Sequence, residues 1–303
     1  MTDPGRRRRP ATREARRPAD RKTPEGPGRG PWRWNVRWIL FALALALTQP
    51  AAAAPRRIVS LDYCADQFVL ALADRDQIAA LSRNSLRDDS YFRARARGIA
   101  QTRPTLEEVL ALHPDLVVRE WGGPWDAEAV YGRFGVPVLQ VGDTPTFAAA
   151  REDLLDAARV IGRPQRGQAI ARDLDARLAR LNAAAPAHRP PVMYLSAGGA
   201  VAGSGTLMDA VIAAAGGRNI RSGASWTVLP LERLAATPPA VVALGFFDTG
   251  RTAMDAWSPS RHPAVRRALA HARTVSLPAA TISCQAWYAI DAAEILAATL
   301  RAP

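Results

Sequence analysis

The residues best suited to engage another molecule are aromatic, and they sit where short apolar runs give way to loops. Tyr63 follows Asp62 directly after "RIVSL". Trp121 and Trp125 flank two glycines and a proline in "REWGGPW". Trp226, Phe247 and Trp287 follow in the second half of the chain, with Arg251 close by in sequence. Flat, polarisable faces lining a cleft suit a large, flat or greasy ligand. Arg83, Arg119 and Arg251 stand near the same rims, where a guanidinium suits a carboxylate. The residues for bond-making chemistry are missing. There is no G-x-S-x-G and no phosphate loop, and "GSGTLM" departs from the dinucleotide fingerprint at Met208, where a third glycine would fall. His113, His188, His262 and His271 are scattered, two of them directly before a proline, which fits caps and surface positions better than a metal set. The chain therefore reads as a binding protein and not an enzyme, with no catalytic residue, cofactor or metal. An exported α/β enzyme acting on a tetrapyrrole or metal chelate is the alternative from another class, and it would need a nucleophile, acid or metal cluster that the sequence does not offer.

Two acidic residues form a second pattern. "TLEEVLALHPDLVV" at 105–118 returns in weaker form as "PLERLAATPPAVVA" at 230–243, and both copies keep a glutamate, Glu107 and Glu232. Each glutamate falls at the start of a short helix that feeds a strand. An acid there complements the helix dipole for well under ~1 kcal/mol, which explains the residue type but not the matched pair. The spacing places one glutamate on each half of the molecule, on the face opposed to the aromatic loops or on its flank.

The elements that position these residues alternate. Short apolar strands are expected at 57–61, 78–82, 115–118 and 136–141, separated by helices, of which "TLEEVLAL" carries Thr105 as N-cap and Glu108 in a capping box and "TPTFAAAREDLLDAARVIG" stops at Gly162. One long helix follows, with Ile170, Leu174, Leu178 and Leu181 on a stripe and an Asp173–Arg177 pair four residues apart. A second series of strands and helices then runs to the end. The fold class is α/β: two lobes, each a mainly parallel sheet flanked by helices, joined by one long helix. The expected boundaries are a basic leader and signal over 1–54, an N-terminal lobe over 55–162, a connecting helix over 163–190 and a C-terminal lobe over 191–303. Ligands of open parallel sheets sit beyond the carboxyl ends of the strands.

Charge first suggests nucleic acid, because the net charge is +12. Residues 1–54, however, hold twelve Lys/Arg against four Asp/Glu, and the remainder carries only +4. The leader is basic and rich in Pro and Gly, then runs through nine apolar residues, Ile39–Leu47, into small residues ending "AAAA". A membrane span needs about twenty. The pattern is that of a cleaved secretory signal, with cleavage near Ala53 or Ala54, against the alternative of an uncleaved anchor. No cysteine follows the apolar run, so no lipid attachment is expected, and in a cell with two membranes the product is periplasmic. Cys64 and Cys284 are then a candidate disulfide joining the two ends of the exported chain, or two separate small buried residues. The sequence leaves both readings open.

The stretches "RRIVSLDYCADQFVLALADRDQIAALS", "TLEEVLALHPDLVV", "GTLMDAVIAAAGGRNI" and "LPLERLAATPPAVVAL", in that order over about residues 56–300, resemble the periplasmic binding proteins of iron-siderophore and vitamin B12 ABC importers, the kind with a rigid helix between lobes. The resemblance implies a monomeric exported protein that captures an iron chelate, or alternatively cobalamin, another corrinoid or heme, and delivers it to an inner-membrane permease dimer. In that family one glutamate per lobe meets permease arginines, and the matching positions are Glu107 and Glu232. No nucleic-acid partner is expected, because the basic surplus leaves with the signal. Two departures stand out: "CQAW" at 284–287 replaces a Cys-Gly-x-Pro pattern, and Pro238-Pro239-Ala240 replaces the usual Pro-Asp.

Overall fold

The computed structural model describes residues 53–221, 223–229, 234, 239–248 and 262–302. A first sheet contains β1 (Ile58–Ser60), β2 (Ile78–Ser82), β3 (Gln101–Thr102), β4 (Leu116–Arg119) and β5 (Val138–Gln140), in the order β3-β2-β1-β4-β5. Every pairing in it is parallel. The central strands are apolar on both faces because helices cover both: Ile58 and Val59 are fully buried, as are Val117 and Val118. Between the strands run α1 (Tyr63–Leu72), α2 (Arg93–Ala96), α3 (Leu106–Ala111), α4 (Ala127–Gly132) and α5 (Phe147–Val160).

The expected caps form, with one change. Thr105 accepts the Glu108 amide as N-cap of α3. The Glu108 carboxylate turns instead to the amide of Arg103 at 3.1 Å, so the box closes on the preceding turn rather than on the cap itself. Gly162 ends α5 with φ +78°, a conformation that costs a glycine least.

The long helix α6 (Pro164–Ala183) follows, with Pro164 in its first turn. Its stripe is present: Leu174 and Leu181 are buried, and Ile170 and Leu178 pack half-buried against the same core. Gly167 lets α6 lie against α5, since a Cβ there would come within 2.3 Å of the Ala158 methyl.

A second sheet orders β11-β10-β6-β8, again all parallel, from β6 (Pro191–Ser196), β8 (Arg218–Asn219), β10 (Val241–Gly245) and β11 (Arg273–Leu277). Its helices are α7 (Leu207–Ala214), α8 (Pro263–His271), α9 (Ala279–Ile282) and α10 (Ile290–Arg301), and His262 caps α8 by accepting the Ala264 amide. A small antiparallel pair, β7 (Ala200–Ala202) and β9 (Trp226–Val228), was not foreseen from the sequence. Two parallel lobes with a helix between them are the expected fold.

The lobes share one hydrophobic core that runs from Ile58 and Phe68 to Trp287, Tyr288 and Leu296. Polar links cross the same boundary. Tyr91 donates to Asp291 at 2.6 Å, and Arg177 on α6 holds Asp291 at 2.6 Å and Glu294 at 2.5 Å. The Asp173–Arg177 pair is therefore the weaker of that arginine's contacts, at 3.8 Å. Burial and the Asp291 carboxylate hold the Tyr91 phenol above its usual range.

Candidate functional site

Parallel strands send all their following loops to one end, and at that end the two lobes meet. Cys64, just beyond β1, is joined by a disulfide to Cys284, beyond β11. Thr144, beyond β5, donates to the Gln285 carbonyl at 2.9 Å, and Ser283 donates to the Asp89 carbonyl at 2.7 Å. The carboxyl ends of both sheets thus border a common zone.

Asp62 organises the first lobe's share of it. The residue is almost fully buried. One carboxylate oxygen accepts the amides of Cys64 and Ala65 and so caps α1. The other accepts the amides of Glu120 at 2.8 Å, Trp121 at 3.1 Å and Gly122 at 2.9 Å. Five main-chain donors on one carboxylate tie the loop after β4 to the start of α1. The double glycine follows from the same closeness: a Cβ on Gly122 would lie 2.6 Å from the Leu61 carbonyl oxygen.

The sequence-predicted aromatic residues divide. Tyr63 and Trp121 come together edge to face, ring centroids 5.9 Å apart. The Arg87 guanidinium lies 4.4 Å over the Tyr63 ring while making a two-pronged pair with Asp89. Trp121 is 53% exposed and Trp125 is 93% exposed, which packing does not explain. Trp125 borders an open cavity of about 540 Å³ with Arg119 and Gln140. Arg119 is itself largely buried and donates to the carbonyls of Pro124 and Trp125, so it braces this loop from beneath instead of standing on the rim. In the second lobe Trp226 is half exposed on β9, edge-on to Tyr194 at 5.6 Å. Phe247 is half-buried just beyond β10.

Trp287 is a correction. It is only 5% exposed and packs on Phe68 at 5.0 Å and Tyr288 at 5.4 Å, inside the shared core. It was expected on the cleft wall because it lies outside a helix. Its short turn lies in sequence between the Cys284 disulfide and α10 and is buried with them. Arg251 and Glu232 lie outside the described residues. Glu107 is exposed in the first turn of α3. Since α3 starts just past the carboxyl end of β3, Glu107 stands at the same end as the aromatic loops. The preceding Pro104 carbonyl approaches the Gly123 position of that loop. The flank, and not the opposed face, is its place.

Several functional-looking groups were missed. Glu120 follows β4 with its side chain pressed against Gly142, where a Cβ would come within 2.5 Å of it. Burial, and then the Asp62, Asp153 and Asp143 carboxylates, push its carboxyl up to about 8. One of its oxygens lies within 4.8 Å of both disulfide sulfurs. Asp66 is fully buried on α1 and accepts the Ser82 amide and hydroxyl; burial raises it to about 7 against those bonds. Asp153 accepts the Gly142 amide and is raised by burial to about 6. A signal existed for the last two, since each acid interrupts the apolar face of a helix. Glu120 carries none: it is one acid between Arg119 and Trp121 in a loop.

Comparison with known proteins adds the following. A family profile described as periplasmic binding protein matches residues 58–249. A curated protein named cobalamin-binding protein, from Halobacterium salinarum, is 27% identical over 199 residues, covering 63% of this chain and 54% of the relative. The match thus spans about half the length of that relative. Among solved structures, a periplasmic heme-binding protein from Roseiflexus sp. RS-1 in apo form is similar at a TM-score of 0.63 and 24% identity, over 82% of this chain and 97% of that one. An ABC-type Fe3+-hydroxamate transport system protein from Saccharomonospora viridis is similar at a TM-score of 0.60 and 20% identity, over 82% and 94%. At these identities the likeness speaks to fold.

Proposed function

This chain belongs to the periplasmic binding protein family, and on that premise we propose that it is an exported solute-binding protein that captures an iron chelate and delivers it to an inner-membrane ABC importer. The observation that carries the reading is the exposed aromatic surface at the carboxyl ends of the two sheets: Tyr63 with Trp121 on one side and Trp226 on the other. Half-exposed tryptophans held at a junction of two lobes favour a ligand with a broad unsaturated face. Phe247, Arg251 and the outlying Trp125 complete the ligand set in this reading, while Trp287 supports it from the core. The work is binding and release, without bond chemistry. The lobes are taken as 55–162 and 191–303, with 163–190 between them, and residues 1–54 as the export leader.

A second reading, cobalamin or another corrinoid, is favoured by the name of the curated relative. Heme is the third member of the same ligand class, by the name of the Roseiflexus protein. Titrating tryptophan fluorescence with ferric siderophores, heme and cobalamin separates the three, because the two tryptophans that flank the junction report occupancy directly. Saturable quenching by cobalamin alone replaces the iron-chelate reading with the corrinoid one. Turnover of any of these compounds revives the enzyme alternative.

Glu107 and Glu232 are assigned to docking on the permease. Reversing both charges, Glu107→Arg with Glu232→Arg, is expected to abolish uptake in cells while leaving ligand affinity unchanged. An equal loss of affinity removes the docking role.

A further inference from the structure

We infer that the Cys64–Cys284 bridge is a thiol-exchange site for a dithiol reductant, in which Glu120 delivers the proton that the leaving sulfur needs. The inference does not depend on which ligand the cleft holds.

Three observations meet at this place. A Glu120 carboxylate oxygen lies within 4.8 Å of both sulfurs, and its Oε2 is buried without a hydrogen-bond partner. No cation pairs with Glu120 among the described residues. The groups that act on it are the carboxylates of Asp62, Asp153 and Asp143, and it acts in turn on the phenols of Tyr63 and Tyr288. A carboxyl so placed gains nothing as an ion pair and destabilises the fold once ionised, so a purely structural role would be met better by an amide. With its pKa pushed up to about 8, it keeps a proton at neutral pH and releases it near the pH at which thiols ionise.

The two sulfurs are not equivalent. Cys284 lines a small cavity with Leu207, Met208, Trp226 and Gln285, and Trp226 is half exposed there. Both cysteines are buried, Cys284 at 5% and Cys64 at 2% exposure, and Cys64 is the second residue of α1, where the positive end of the helix makes it the better leaving sulfur. The geometry therefore sets the order of events. A reductant thiolate attacks Cys284 Sγ, forming a mixed disulfide and expelling the electron pair onto Cys64 Sγ. Glu120 gives its proton to that sulfur and is left as a carboxylate. The reductant's second thiol then attacks its own bridged sulfur, Cys284 leaves as a thiolate, and the proton of that second thiol passes to Glu120 or to Cys284 through solvent. The sum is protein disulfide plus dithiol giving protein dithiol plus cyclic disulfide, with two electrons moved. The disulfide cross-link between the lobes is then gone, and the α6 connection and the Tyr91–Asp291 and Arg177–Glu294 contacts remain.

The test is the rate of reduction of native protein by dithiothreitol from pH 6 to 10, expressed per dithiol thiolate, for wild type and Glu120→Gln. Below about pH 7 the wild type is expected to react at least about tenfold faster, because only it has a proton to give. Above about pH 9 the order reverses, because ionised Glu120 opposes a second negative charge beside it. A rate ratio of one at every pH overturns the proposal. Should the variant not fold, the wild type decides alone by mass spectrometry of the trapped intermediate. Reductant bound at Cys284 supports the scheme. Reductant bound at Cys64, or no reduction until urea unfolds the chain, refutes it.

Discussion

At the carboxyl end of the first sheet one buried carboxylate, Asp62, gathers five amides from two separate segments. At the second sheet Trp226 rides on a pair of three-residue antiparallel strands held by main-chain pairing. The contrast extends inward. Among the described residues the buried carboxyls Asp62, Asp66 and Asp89 all belong to the first lobe, as do the three acids raised above the ordinary range, Asp66, Glu120 and Asp153. The first lobe fixes its Trp121 loop with a buried carboxyl, and the second presents its aromatic residue on a light surface element. Binding and stability should therefore be entangled in one lobe and separable in the other.

The largest expected effect is on the pH dependence of stability. Asp66, Glu120 and Asp153 have folded-state values of about 7, 8 and 6, above the ordinary carboxyl range. The native state then holds more protons than the unfolded one, so their contribution is complete below about pH 4 and is lost as pH rises through about 6 to 8. Each group tilts the curve by up to about 1.4 kcal/mol per pH unit within its window. Urea midpoints should fall steadily from pH 5 to pH 9, and Asp153→Asn should flatten part of that slope. A midpoint that rises over this range contradicts the assignment of buried neutral acids.

Next in size is Asp62→Ala. Stranding five amides should cost on the order of 3 kcal/mol in urea unfolding and disorder the Trp121 loop with it. Trp226→Ala, by comparison, removes a half-exposed ring and should change stability by less than about 1 kcal/mol. Equal costs for the two substitutions would erase the contrast between the lobes.

These differences also mark what the sequence could and could not convey. The strands were legible because strands of a doubly covered sheet are uninterrupted apolar runs, as in "RIVSL" and "AVVALG". The stripe on α6 was legible because its period is that of a helix. The disulfide was an open choice, since sequence says which cysteines exist and only the fold brings Cys64 to Cys284. Trp287 was misplaced because exposure was inferred from lying outside a helix, and a three-residue turn can point into the core as easily as out of it. Arg177 showed its local partner Asp173 and hid its stronger ones, Asp291 and Glu294, which lie more than a hundred residues away. Glu120 is the clearest such case: its character comes from neighbours on four separate segments, and no window of sequence contains them.

The most direct measurement is a fluorescence titration of wild type, Trp121→Ala and Trp226→Ala with ferric siderophores, heme and cobalamin. The account predicts saturable quenching by at least one of them, and a loss of about tenfold in affinity for that ligand from either substitution, equivalent to about 1.4 kcal/mol. Binding that is undiminished in both variants, or no binding to any member of the panel, would contradict a ligand held between the aromatic faces of the two lobes.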